Sequence, residues 1–184
     1  MSEPARTTGQ TVGPFFAPAL TFPGDCRLIP PGSPGVVVLH GFVYDGEGRG
    51  IPDGLVEVWQ PDSAGVVSRQ TGSFGRAADA FSGWGRCATD DDGHYEFTTL
   101  APGSVAGTPP FFALVVLARG LLNRLFTRAY LPSDSPLGDP RLDVLEPARR
   151  NTLICAPELN GYRFDIHIQG PGETVFLEYC EVSE

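Results

Sequence analysis

The stretch Pro110-Phe-Phe-Ala-Leu-Val-Val-Leu-Ala-Arg-Gly120 is the part of the chain that decides its fold. Residues 111–118 within it are apolar, and proline and glycine bound them. A run of this length is typical of a strand that is buried on both faces, and it is shorter than the roughly 18 residues that a membrane span needs. We therefore predict a buried strand over residues 111–118.

Further strand-like segments lie on both sides of this run. Apolar or alternating stretches occur upstream at 36–44 and 55–60, and downstream at 125–131. Each has the length and the β-branched or aromatic content that strands favour. These segments predict three more strands.

Turn signals predict two hairpins. The first joins segments 86–89 and 95–100 through the turn Asp90-Asp-Asp-Gly93. The second joins segments 163–168 and 174–179, and it closes the fold.

The composition suits a single globular domain. The chain has 184 residues, of which 41% are hydrophobic, with 23 glycines and 18 prolines. About eight short strands separated by turns indicate an all-β, single-domain β-sandwich. We place the sandwich at 36–184, with a short helix at 142–150, and we place an extended N-terminal arm with loops at 1–35.

The arm carries apolar side chains that require burial, namely Phe15, Phe16, Leu20 and Phe22. They can pack on the surface of a partner chain, or the arm can fold back on its own domain. The sequence leaves both possibilities open.

Charge and composition exclude several classes of function. The net charge is −9 and all 13 basic residues are arginine. An acidic chain argues against non-specific nucleic-acid binding, and the lack of lysine excludes Schiff-base chemistry. The chain has no apolar run of membrane-spanning length and no apolar signal core at its N-terminus, so we expect a cytoplasmic protein.

Histidine and cysteine give no motif. The three histidines, His40, His94 and His167, share no ligand spacing, and structural roles are expected for them. No two cysteines form a CxxC pair, and we expect free, partly buried thiols. The four cysteines are Cys26, Cys87, Cys155 and Cys180.

Four segments together carry a resemblance to a known family. They are Gly41-Phe-Val-Tyr-Asp-Gly46, Leu55-Val-Glu-Val-Trp-Gln60, Gly85-Arg-Cys-Ala-Thr89 and Asp92-Gly-His-Tyr-Glu-Phe97. In order and spacing they resemble the protocatechuate 3,4-dioxygenase family of intradiol ring-cleaving dioxygenases. The resemblance implies a β-sandwich of the intradiol dioxygenase type.

Enzymes of that family combine two related chains, α and β, and the β chain holds Fe(III) with two tyrosines and two histidines. Four segments of the present chain look like α: Gly9–Phe15, Ala118–Gly120, Tyr162–Gly170 and Gly172–Phe176. The resemblance therefore implies a homologous β chain as partner, in a high-order αβ hetero-oligomer.

The positions that match the iron ligands are replaced. Phe111 and Ala113 stand where catalytic chains carry two histidines, and Val105 stands where a tyrosine follows a Pro-Gly turn. Segment 66–85, which matches the remaining ligand position, contains no tyrosine. Hydrocarbon side chains cannot coordinate a metal. The resemblance thus implies that no catalytic or metal-binding residue lies on this chain, and that the partner β chain holds the iron.

The resemblance also implies which residues face the substrate. Thr11, Gly13, Pro14 and Phe15 match an arm that lines the pocket at the α–β boundary, and Arg119 matches an arginine near that pocket. A guanidinium suits the carboxylate of an aromatic acid. The alternatives are plain loop packing for the arm and an ion pair with Asp or Glu for Arg119.

The function implied by the resemblance is intradiol cleavage of 3,4-dihydroxybenzoate with O2 to 3-carboxy-cis,cis-muconate, with this chain as the subunit without iron. Two alternatives stand beside it. One is a self-sufficient dioxygenase with an unrecognised metal site that uses Tyr44, His40 or Tyr130. The other is a non-enzymatic β-sandwich binding module.

Overall fold

The computed structural model describes residues 8–68, 80–133 and 138–178, and within these ranges the chain forms nine strands and three short helices. The strands are β1 (Val36–Tyr44), β2 (Leu55–Trp59), β3 (Trp84–Ala88), β4 (His94–Leu100), β5 (Phe111–Leu117), β6 (Leu125–Tyr130), β7 (Ala156–Glu158), β8 (Gly161–Arg163) and β9 (Ile166–His167). The helices are α1 (Phe16–Leu20), α2 (Pro140–Asp143) and α3 (Pro147–Asn151).

The strands form two sheets. The first has the order β4-β1-β8-β7, with β9 also paired to β1, and the second has the order β3-β2-β5-β6. β1 runs antiparallel to β4 and parallel to β8 and β9. All pairs in the second sheet are antiparallel.

The core lies between the two sheets. Every second residue of the long strands points inward, as the period of two requires. Both sheets contribute to one buried cluster, which includes Leu39, Val43, Val56, Val58, Tyr95, Phe97, Phe112, Leu114, Val116, Phe164 and Ile166. This arrangement confirms the predicted all-β sandwich.

Strand β5 differs from the prediction in one respect. Its inward residues Phe112, Leu114 and Val116 are buried, but Phe111 and Ala113 on the opposite face are only half-buried. The strand lies between β2 and β6, so its edges are paired while its outer face is incompletely covered. The expectation of full burial on both faces was therefore wrong for this part of the strand.

The first predicted hairpin is wrong, although its turn is right. The carboxylate of Asp90 accepts hydrogen bonds from the backbone N–H groups of Asp92 and His94, which closes the turn. However, β3 pairs with β2 and β4 pairs with β1. The chain crosses from one sheet to the other at this turn, because turn residues fix a chain reversal but not the partners of the flanking strands.

The second predicted hairpin is also wrong, since residues 174–178 form no strand and β8 and β9 pair with β1. The backbone N–H of Leu177 instead donates to the carbonyl of Phe126 on β6. Tyr179 lies outside the described residues. The predicted helix at 142–150 is divided into α2 and α3, because Pro147 holds the preceding residue in an extended conformation.

The N-terminal segment combines buried and exposed parts. Leu28 lies in the core, and its N–H donates to the carbonyl of Thr98 on β4. Ala17 of α1, a helix that the sequence did not predict, is also buried. Phe15 and Phe22, in contrast, are 79% and 55% exposed. The segment therefore folds back in part and leaves a group of apolar side chains uncovered.

Cys26, Cys87 and Cys155 are free thiols, as predicted, whereas Cys180 lies outside the described residues. Burial raises the pKa of Cys87 to about 11 and that of Cys155 to about 12, so both stay protonated at neutral pH. None of the described helices is long and apolar enough to cross a membrane.

A buried carboxylate joins α2 to the second sheet. Asp139 caps α2 by accepting a hydrogen bond from the N–H of Arg141. Its Oδ2 also accepts a hydrogen bond of 2.7 Å from the Tyr130 hydroxyl. The guanidinium of Arg128 lies 3.4 Å away. Burial acts to raise the pKa of this carboxyl, but the hydrogen bonds from Tyr130 and Arg141 and the two guanidiniums outweigh it and hold the pKa below its usual range.

Gly41→Ala is expected to destabilise the fold by about 3 kcal/mol. A Cβ at this position would lie 2.0 Å from the carbonyl oxygen of Phe164, which is backbone and cannot move aside. Urea unfolding measures the change. Gly172→Ala is the control, because nothing lies within 4 Å of its added Cβ. Equal stability of the two variants would contradict the close approach.

Asp139→Asn is expected to lower the free energy of unfolding at neutral pH by about 2 kcal/mol, since charge-assisted hydrogen bonds are lost. The folded-state pKa of Asp139 is depressed, so its contribution is present above the unfolded pKa and is lost as pH falls through the folded value. Wild type and variant should therefore converge in acid. Asp143→Asn is the control, because Asp143 is exposed on the same helix. If the difference in free energy of unfolding between wild type and Asp139→Asn stayed constant down to acid pH, this account would be refuted.

Candidate functional site

The outer face of the second sheet carries a cavity of about 900 Å³. Its floor is formed by β2, β3 and β5, and one wall comes from the segment at α1. Trp59 and Trp84, which face each other across β2 and β3, contribute aromatic surface. A cavity of this size, apolar and with a few charged groups, has the character of a small-molecule site.

The cavity brings together three positions that the sequence singled out. Val105, Phe111 and Ala113 all line it. They come from two parts of the chain, the loop before β5 and β5 itself, and only the fold makes them neighbours. Of segment 66–85, which matches the fourth ligand position, residues 69–79 lie outside the described residues.

The residues around the cavity do not fit an iron ion. Val105, Phe111 and Ala113 offer no nitrogen, oxygen or sulfur atom from their side chains. The carboxylate of Glu57 on the wall is engaged by Arg86, whose Nε donates to Oε1 at 2.9 Å. Across 8–68, 80–133 and 138–178, no group of three or more His, Cys, Asp or Glu side chains could hold a metal.

A guanidinium and an aromatic ring lie together at one wall of the cavity. The guanidinium of Arg128 lies 4.2 Å from the ring centre of Phe111. Arg128 and Arg141 also flank the carboxylate of Asp139, and Asp25 lines the same cavity. The cavity thus combines apolar and aromatic surface with charged side chains of both signs.

The arm residues predicted to face substrate lie elsewhere on the surface. Thr11 docks on the loop after β5, where its Oγ1 accepts a hydrogen bond of 2.7 Å from the N–H of Gly120. Gly13, Pro14 and Phe15 are exposed, and none of the four arm residues lines the cavity.

Arg119 lies next to the point where the arm docks. Its Nη2 is 2.8 Å from Oδ2 of Asp53, so the ion pair considered as an alternative is present. The Arg119 side chain is nevertheless 53% exposed, which leaves part of the guanidinium open to a further anion. Asp53 adopts a positive φ of 58°, an uncommon conformation outside glycine.

The structure does not bring together the residues of the alternative metal site. Tyr130 lies on β6 in the second sheet, and its hydroxyl donates a hydrogen bond to Asp139. His40 and Tyr44 lie on β1 in the first sheet. His40 bonds to Glu158, and Tyr44 stacks on His167 with ring centres 4.9 Å apart.

The structure does reveal a histidine pair that sequence reasoning missed. Nδ1 of His40 and Nε2 of His94 are 3.4 Å apart on the outer face of the first sheet. In the register of β1 and β4, Phe42 lies opposite His94, which makes His40 its diagonal neighbour. To find this pair from the sequence, one would have to know that β1 pairs with β4. The predicted hairpin instead paired β4 with β3.

Known proteins resemble this chain in sequence and in fold. A family model described as "Dioxygenase" matches residues 14–170. The protocatechuate 3,4-dioxygenase alpha chain of Pseudomonas putida is 38% identical, over 95% of this chain and 96% of that protein. The protocatechuate 3,4-dioxygenase beta chain of Burkholderia cepacia is 32% identical, over 75% of this chain and 66% of that protein.

A solved structure supports the fold independently. The dioxygenase domain of a carbohydrate-binding fusion protein from Streptomyces sp. SirexAA-E superposes with a TM-score of 0.56 at 22% identity, covering 90% of this chain and 99% of that one. The family match spans most of the sandwich and reaches into the arm. This chain therefore belongs to the intradiol dioxygenase family.

Proposed function

We propose that this chain is the iron-free α subunit of a protocatechuate 3,4-dioxygenase. Together with a homologous β chain it takes part in the cleavage of 3,4-dihydroxybenzoate by O2, in which both oxygen atoms enter 3-carboxy-cis,cis-muconate. The observation that carries the proposal is the near full-length similarity to an alpha chain, combined with hydrocarbon side chains at three ligand positions around one cavity.

The iron in this proposal is Fe(III) held by the β chain. Iron bound in such an enzyme activates the ring towards oxygen. The present chain cannot supply the ligands, because Phe111 and Ala113 replace the two histidines. Its own contribution is to bind the partner, to shape the pocket and to place charge near it.

The partner surface is proposed to include the arm. Phe15, Phe22 and Leu122 are each more than half exposed, and Thr11 holds the arm against the loop that carries Leu122. Exposed apolar side chains of this size are commonly covered by a partner. A homologous β chain in a high-order αβ assembly in the cytoplasm would cover them, with residues 36–184 forming the sandwich domain and 1–35 contributing to the contact.

The substrate-facing residues are proposed to be Thr11, Gly13, Pro14, Phe15 and Arg119. They lie on the surface near the docking point of the arm rather than in the cavity of this chain. At the boundary with β they would form one wall of the β pocket. Arg119, held by Asp53, would attract the carboxylate of the aromatic acid.

Iron content and visible absorption test the division of roles. The chain is purified alone and after co-expression with a homologous chain that carries the tyrosine and histidine ligands. We expect a colourless, iron-free chain in the first case and a coloured complex that consumes 3,4-dihydroxybenzoate in the second. Stoichiometric iron and turnover by the chain alone would overturn the proposal.

Arg119→Gln in the complex is expected to raise KM for 3,4-dihydroxybenzoate about tenfold, because a charge-assisted hydrogen bond is worth about 1.5 kcal/mol or more. Catechol, which lacks the carboxylate, should be affected much less. Asp53→Asn is the matched control, since it breaks the ion pair and leaves the guanidinium. Similar effects of both variants on both compounds would assign Arg119 a purely structural role.

A further inference from the structure

Two histidines are in contact on the outer face of the first sheet. His40 on β1 and His94 at the start of β4 project from the outer face, opposite the core. Their facing atoms are Nδ1 of His40 and Nε2 of His94, at a distance of 3.4 Å. That distance is long for a hydrogen bond, for which about 2.9 Å is usual.

The same distance suits two imidazoles that share a tetrahedral metal. Zinc–nitrogen bonds of about 2.05 Å at a tetrahedral angle separate the two nitrogens by about 3.3 Å. The observed distance of 3.4 Å between the two nitrogens is close to this separation. Imidazole nitrogen is a preferred ligand of Zn²⁺ and of neighbouring divalent transition metals.

A carboxylate behind each ring supports this assignment. Oε2 of Glu158 lies 2.9 Å from Nε2 of His40, the nitrogen that faces away from His94. When the proton of His40 is on Nε2 and is donated in a hydrogen bond to Glu158, Nδ1 is unprotonated. Its lone pair is then on the side of His94. Carboxylate–histidine–metal arrangements fix the tautomer of the ligand in this way and raise its basicity.

Asp90 lies near the second ring, although its Oδ2 is 4.0 Å from Nδ1 of His94, which is beyond hydrogen-bond distance. When a metal takes Nε2 of His94, the ring proton moves to Nδ1, on the side of this carboxylate. The exchange is balanced, because a neutral histidine carries one ring proton before and after binding.

The rings are held in place and remain reachable. Phe42, which lies opposite His94 in the register, packs on its ring with ring centres 5.1 Å apart. The side chains of His40 and His94 are 22% and 29% exposed, so solvent and small ions have access. Both ligands stand on paired strands, which is a more rigid support than loops provide.

We propose that His40 and His94 form a binding site for a divalent transition metal of the zinc type, with water completing the tetrahedron. The site is separate from the cavity on the second sheet and independent of the proposed dioxygenase role. A bound ion would connect β1 to β4 directly, and to β7 through Glu158.

Zinc titration of the full-length chain tests the proposal, with calorimetry as the readout. Wild type is expected to bind one zinc ion per chain at this site, and either His40→Gln or His94→Gln should weaken binding at least tenfold. His167→Gln is the matched control, because His167 lies on β9 against Tyr44 and not in the pair. Unchanged binding in both pair variants, or loss of binding in the control alone, would overturn the assignment.

A second measurement needs no variant of the pair. The chain contains only three histidines, so their ring proton signals form a simple set in a nuclear magnetic resonance spectrum. Zinc should shift two of them and leave the third in place, and acid should reverse the shift because protons compete for the ligand nitrogens. The absence of any shift at millimolar zinc, or a shift of all three, would refute the site.

Discussion

The close contact between Gly41 and the carbonyl of Phe164 is the constraint on which the first sheet depends. At this point β1 pairs with β8 on one side of Gly41 and with β9 beyond it, and there is no room for a Cβ. Strand β1 connects early and late parts of the chain. All of β4 pairs with β1, and the C-terminal strands β8 and β9 lie parallel to β1. The core forms against this strand.

With the first sheet fixed, the second sheet is free to differ on its outer face. Its inner face is buried whatever the function, since Phe112, Leu114 and Val116 pack against the first sheet. The outer positions of the same strand, Phe111 and Ala113, carry no such requirement. Because successive side chains of a strand point to opposite faces, the residues on one face can change while those on the other keep the packing. Metal ligands can therefore be replaced on the outer face while the fold is kept.

The sequence was sufficient for the long strands β1 to β6 and insufficient for their pairing partners and for the short C-terminal strands. The strands at 36–44 and 55–59 and the positions Phe111 and Ala113 followed from local pattern or family resemblance, because each depends on neighbours in sequence. Pairing of β4 with β1 depends on residues more than fifty positions apart. Local pattern cannot reveal contacts between residues that are distant in sequence. Three such contacts are the histidine pair, the Arg119–Asp53 ion pair and the hydrogen bond between Thr11 and Gly120.

Asp53, the ion-pair partner of Arg119, adopts a left-handed backbone conformation. A left-handed conformation costs a non-glycine residue about 1 kcal/mol, although aspartate tolerates it better than most. Glycine would remove that cost and would also remove the carboxylate that aims the guanidinium. The chain therefore keeps a small local strain at the residue that pairs with Arg119.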